Sequence, residues 1–200
     1  MKNLNHLSRT LKQLSCLVLL IASLCSCNSS VKGDEKDPKE VSTEHNQDKF
    51  EDSDKEKDAK FVEQAVIINL TEIQLGKLAE QKGGIAEVRD LAKMILKGHM
   101  ASQDEFKSLA SVKVITIPDS TTQEVRDAYK KLNAKSGKKF DSEFCEMMVK
   151  GHKEAIALFE KESNETNDSD IKSLVTSTLP ALRVHLDRAL TCEENCKKVE

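Results

Sequence analysis

Four long stretches of this chain repeat apolar residues at spacings of three and four, the period of a helix with one buried face. The first is marked by Phe61, Ala65, Ile68, Leu75 and Ala79, with Glu72 on the same stripe, and Gly83-Gly84 break it. The second runs from about Ile85 to Val112 through Val88, Leu91, Ile95, His99 and Phe106. Residues 114–118 are β-branched and end in Pro118, which predicts an extended crossing connection. Thr121-Thr122-Gln123-Glu124 reads as a capping box opening a short helix that ends near Leu132. The third long helix is expected from about Phe140 to Ser163. The fourth is expected from about Asp170 to Cys196, capped by Asp168 or Ser169 and kinked or restarted at Pro180.

Loops within each pair are short and the connection between pairs is long. The pattern therefore predicts an all-α, ferritin-like four-helix bundle with a short extra helix in the long connection between helix pairs. An up-down-up-down bundle with a surface excursion is the alternative. Sparse aromatics, with no Trp and one Tyr, and only seven Gly and three Pro agree with helices and argue against a β-sandwich.

The front of the chain has a different character. Lys2, Arg9 and Lys12 precede an apolar run from Leu14 to Leu24, too short to span a bilayer. Leu24-Cys25-Ser26-Cys27 resembles a bacterial lipoprotein cleavage box, which makes residues 1–26 a signal peptide and Cys27 the lipidation site. Asn28 rather than Asp after that cysteine favours the outer over the inner membrane. Residues 28–58 hold six Lys against eleven Asp and Glu, with Val31, Val41 and Phe50 as the apolar residues. This composition predicts a disordered acidic tether over 27–57, ahead of a bundle domain over 58–196 and a tail over 197–200. Removing three cations with the signal moves the formal net charge from −3 to about −6. That balance opposes nucleic-acid binding and leaves the membrane, reached through the lipid anchor, as the expected partner.

Two segments repeat one phrase: Met94-Ile95-Leu96-Lys97-Gly98-His99 and Met147-Met148-Val149-Lys150-Gly151-His152. Phe106 and Phe159 follow the two histidines by seven residues. With Glu72 and His185 on the other two helices, each long helix offers one metal-capable group toward the core. Glu72, His99, His152 and His185 are thus candidate ligands for one transition-metal ion such as zinc, copper or iron. The other reading is structural: each histidine donates to a backbone carbonyl or to Glu72. A ferroxidase-type di-iron centre needs Glu three residues before His, and the chain has Leu96, Val149 and Leu182 there. Gly98 and Gly151 are costly inside helices, and close helix approach beside each histidine would account for them. Cys192 and Cys196, one turn apart, are a candidate disulfide or soft-metal pair, with Cys145 left over. No Ser-His-Asp pattern, phosphate loop or zinc-finger spacing is visible, so the sequence points to binding or structure rather than catalysis.

Residues 58–190 resemble the DUF4142 family, bacterial envelope proteins of unknown function. The stretches that carry the likeness are Asp58-Ala59-Lys60-Phe61-Val62, Glu72 to Ala79, Val88 to Met94 leading to His99, Phe140-Asp141 leading to His152, and Leu179-Pro180-Ala181-Leu182 leading to His185. The resemblance implies a ferritin-like bundle with Glu72, His99, His152 and His185 as recurrent polar positions. It also implies Asp before each paired histidine, where this chain has Gly98 and Gly151, and Tyr where it has Phe144. The two missing carboxylates would weaken a metal site.

Overall fold

The computed structural model describes residues 36–51 and 53–198. Six helices fill them: α1 (Pro38–Lys49), α2 (Ser53–Lys82), α3 (Ala86–Lys113), α4 (Gln123–Asn133), α5 (Gly137–Glu165) and α6 (Ser169–Lys198). No strand occurs among the described residues. The long helices pack in the cyclic order α2, α3, α6, α5.

Contacts at the two ends fix the direction of each helix. At one end Thr166 Oγ1 donates to Asp58, at 2.9 Å, and Lys113 bridges to Asp168 and Asp170, at 2.6 Å each. That end therefore gathers the start of α2, the end of α3 and the α5–α6 turn. At the other end Lys82 Nζ donates to the carbonyls of Asn133 and Lys135, and the amides of Gly84 and Ile85 donate to Asp141. The segment 114–136 thus travels the length of the bundle, α3 and α5 run parallel on a diagonal, and adjacent helices are antiparallel. This is the ferritin-like arrangement with one long crossover, not the up-down-up-down alternative.

Local chemistry shifts several boundaries. Asp54 and Glu56 suit the first turn of α2, where the helix dipole favours acids, so α2 starts at Ser53, ahead of the expected domain start at Asp58. Thr122, not Thr121, caps α4, and its hydroxyl accepts from Val125 N rather than forming a box with Glu124. Asp168 caps α6 by accepting from the amides of Asp170 and Ile171. α6 then runs unbroken through Pro180. Val114 ends α3 at φ 58°, a left-handed position where glycine is the usual residue.

The tether needs correction. Its residues 38–49 form α1, with Asp37 as N-cap and Pro38 in the first turn. α1 docks through polar groups: Ser42 and Thr43 hydroxyls donate to the buried Glu63 carboxylate at 2.9 and 2.7 Å. Asn46 pairs with both backbone groups of Thr116 at 2.8 Å, which holds the extended connection in place. The folded unit therefore begins well before residue 58.

The core falls into two apolar clusters with a polar layer between them. One holds Leu91, Ile95, Phe140, Phe144, Cys145 and Met148. The other centres on Phe61, Phe106 and Phe159, whose rings meet edge to face with centroids 5.2–6.0 Å apart.

Candidate metal centre

The layer between the clusters is made by His99 on α3, His152 on α5 and His185 on α6, all buried. Their ring centroids are 5.3–5.4 Å apart, and one ring nitrogen from each lies within 4.8 Å of the others. Each histidine continues the apolar stripe of its helix, so burying Ile95 and Met148 one turn away carries His99 and His152 inward. The repeated phrase lies on the two parallel helices, and its histidines meet across the bundle with Nε2 atoms 3.3 Å apart.

Hydrogen bonds orient this pair. His152 Nδ1 donates to the Met148 carbonyl at 2.8 Å, so its Nε2 carries a lone pair. His99 Nδ1 meets Asn69 Oδ1 at 2.9 Å, while the Asn69 amide nitrogen donates to Ser102 at 3.1 Å. With Asn69 so oriented, His99 Nδ1 is also a donor and its Nε2 is also an acceptor. Two lone pairs then face each other with no proton between them. His185 Nδ1 is buried with no hydrogen-bond partner.

Burial keeps these rings neutral. It holds the His99 imidazolium well below its usual range, and the neighbouring His152 and His185 add to this. Burial also lowers His152 to about 4 and lowers His185. Neutral imidazole is the form that binds a metal.

Glu72 is placed differently from the expectation. It is buried, but its Oε1 stands 3.8 Å from Nδ1 of His152, on the side away from the facing Nε2 pair. It does not belong to the group of mutually close ligand atoms. Its Oε2 has no hydrogen-bond partner, and burial raises its carboxyl to about 8. Glu72 and Gly151 border a groove of about 390 Å³ that also touches Thr71, Glu124 and Glu154.

Both glycines of the repeated phrase have a spatial cause. A Cβ at Gly98 would lie 2.5 Å from the His185 ring, and one at Gly151 would lie 2.7 Å from Glu72 Oε1. The glycines admit these side chains rather than drawing helix backbones together. A side chain at either position, such as the aspartate the family resemblance implies, would displace His185 or Glu72.

Cys145, Cys192 and Cys196 are unbonded in this structure, and no Cys192–Cys196 disulfide occurs among the described residues. Residues four apart on one helix hold their Cβ atoms about 5–6 Å apart, beyond the roughly 3.5–4.5 Å a disulfide needs. Cys145 of α5 instead approaches both, its Sγ being 2.7 Å from Cys192 and 3.8 Å from Cys196. Sequence reasoning also missed Asn69. Its place one turn before Glu72 was the available signal. Residues 1–26 and Cys27 lie outside the described residues, and no described helix is long and apolar enough to cross a membrane.

No curated protein and no solved structure matches this chain. Residues 43–191 match the family model described as a domain of unknown function, DUF4142, a span that begins inside α1 and takes in every element of the bundle. The chain belongs to the DUF4142 family.

Proposed function

We propose that this is a metal-binding protein of the cell envelope, which holds one divalent transition-metal ion on His99, His152 and His185 and serves metal handling or a stress response. The opposed acceptor nitrogens of His99 and His152 carry the reading. Metal–nitrogen bonds of about 2.0–2.1 Å at tetrahedral angles put ligand nitrogens roughly 3.3–3.4 Å apart. The separation here is 3.3 Å, in a pair that otherwise repels. His185 supplies a third nitrogen and an orphan ring atom. Three imidazoles suit zinc or copper and leave a fourth position for water or a small ligand. Glu72 beside His152 would ionise as the cation arrives and balance its charge.

The first test is metal analysis of the protein purified from envelopes without chelator. About one equivalent is expected in wild type, and far less in His99→Ala and His152→Ala. Stoichiometry near zero in wild type, with zinc added back, would refute the proposal. The remaining reading would then be a binding or structural protein in which one histidine has changed tautomer and donates to the other.

The anchor is a separate part of the proposal. The basic start, the short apolar run and Leu24-Cys25-Ser26-Cys27 support lipidation at Cys27. Cells fed labelled palmitate should incorporate it into wild type and not into Cys27→Ala. Equal labelling of both would reject Cys27 as the site.

A further inference from the structure

We infer that Cys145, Cys192 and Cys196 form a second metal site, a thiolate site for one monovalent copper ion. The placement follows from the helices that build the histidine layer. Cys145 lies seven residues before His152 on α5, and Cys192 lies seven after His185 on α6. Those helices run antiparallel, so both offsets lead toward the same end of the bundle. Seven residues are about two turns and roughly 10 Å of rise, which puts the thiols in the next layer of the core on the same inward face. Cys196 joins them from the following turn of α6.

The three sulfurs lie within 4.8 Å of one another and are buried. At a metal–sulfur bond of about 2.3 Å, three sulfurs in a trigonal set stand roughly 4 Å apart. Cys145 and Cys196 meet that spacing at 3.8 Å. Cys192, now 2.7 Å from Cys145, has to turn away by roughly 1 Å to let an ion in. That is a side-chain rotation and leaves the helices where they are.

The donor set selects the ion. No histidine or carboxylate completes the group among the described residues. Structural zinc asks for four ligands, whereas soft thiolates select copper(I). Leu132, Phe140, Phe144 and Met148 pack in the same cluster, so the surroundings are apolar. Asp141, whose charge acts on Cys192 and Cys196, is committed to the amides of Gly84 and Ile85. Binding breaks S–H bonds, forms copper–sulfur bonds and sends the protons to solvent. Copper enters and stays as Cu(I), so no electrons move.

The test uses the full chain, reduced and kept under nitrogen, titrated with Cu(I) against a bicinchoninate competitor. One equivalent is expected, with X-ray absorption dominated by sulfur at about 2.3 Å. Affinity should fall more than about 100-fold in Cys145→Ser and in Cys192→Ser, beyond what outer-shell losses cause. Cys196→Ser should fall in the same direction. Circular dichroism and melting of each variant show that it is folded, and Cys196→Ser keeps the question open to decision where Cys145→Ser does not fold. Copper bound equally by the folded cysteine variants, or bound through nitrogen alone, would overturn the inference. So would failure of the reduced wild type to take up copper. Recovery of Cys145 and Cys192 as a disulfide that resists the reductant would also overturn it, assigning the thiols to a covalent cross-link.

Discussion

Glu72 sets the pH response of the metal-free protein, because its shift has the opposite sign from those of its neighbours. Burial raises its carboxyl from an ordinary 4.5 to about 8 in the folded chain. The folded state therefore holds a proton that the unfolded state gives up. Stability from this group is complete below about 4.5 and is lost as pH rises toward 8, by roughly 3–5 kcal/mol. The histidines behave in reverse. Their folded values lie below 6.5, with His152 near 4, so their contribution is complete above 6.5 and is lost as pH falls through that window. Three rising slopes against the falling slope of Glu72 put the maximum near pH 6.5, with Glu72 dominating above it. Glu162, raised to about 7 by burial and by Asp58, adds a falling slope common to wild type and any Glu72 variant. Urea unfolding of metal-free wild type and Glu72→Gln should therefore agree near pH 4 and diverge by pH 8, with the glutamine protein the more stable. Parallel curves would mean that Glu72 is hydrated or paired in solution.

At the scale of the helix, the four long elements were legible because each buries a stripe of Phe, Leu, Ile and Val whose period is visible in the sequence. α1 was not, since it docks with hydroxyls and an amide on Glu63 and Thr116, and apolar periodicity is blind to such contacts. The same contrast divides the site. His99, His152 and His185 continue apolar stripes and were found. Asn69 and the Cys145 approach depend on how helices distant in sequence are set against each other. Glu72 was found, but its side of His152 depends on the space left by Gly151. If polar contacts hold α1, Glu63→Ala should free it while the bundle stays folded. Losing the shared acceptor of Ser42 and Thr43 costs about 1–3 kcal/mol. Amides of residues 38–49 should then exchange roughly 5- to 150-fold faster, with α3, α5 and α6 unchanged. Unaltered exchange in α1 would mean that Asn46 and Asp37 suffice to hold it.

For the whole molecule, the position of the histidine layer matters as much as its chemistry. It lies between the two apolar clusters, and its ligands come from α3 of the first hairpin and from α5 and α6 of the second. An ion bound there ties hairpin to hairpin at mid-height, in a geometry the unfolded chain lacks. Because the ion prefers the folded state, it must raise the melting temperature by mass action. At one hundred times the dissociation constant the gain is about 2.7 kcal/mol. For a domain of this size each kcal/mol moves the midpoint by roughly 2–4 °C, which predicts a rise of roughly 5–11 °C. Calorimetry of the chelated protein with zinc added should show that rise, and His185→Ala should lose most of it although both members of the close pair remain. A shift of the same size in His185→Ala would place the ion on the outer surface or on His99 and His152 alone. In either case the metal would no longer join all three helices, and the three-histidine centre would have to be given up.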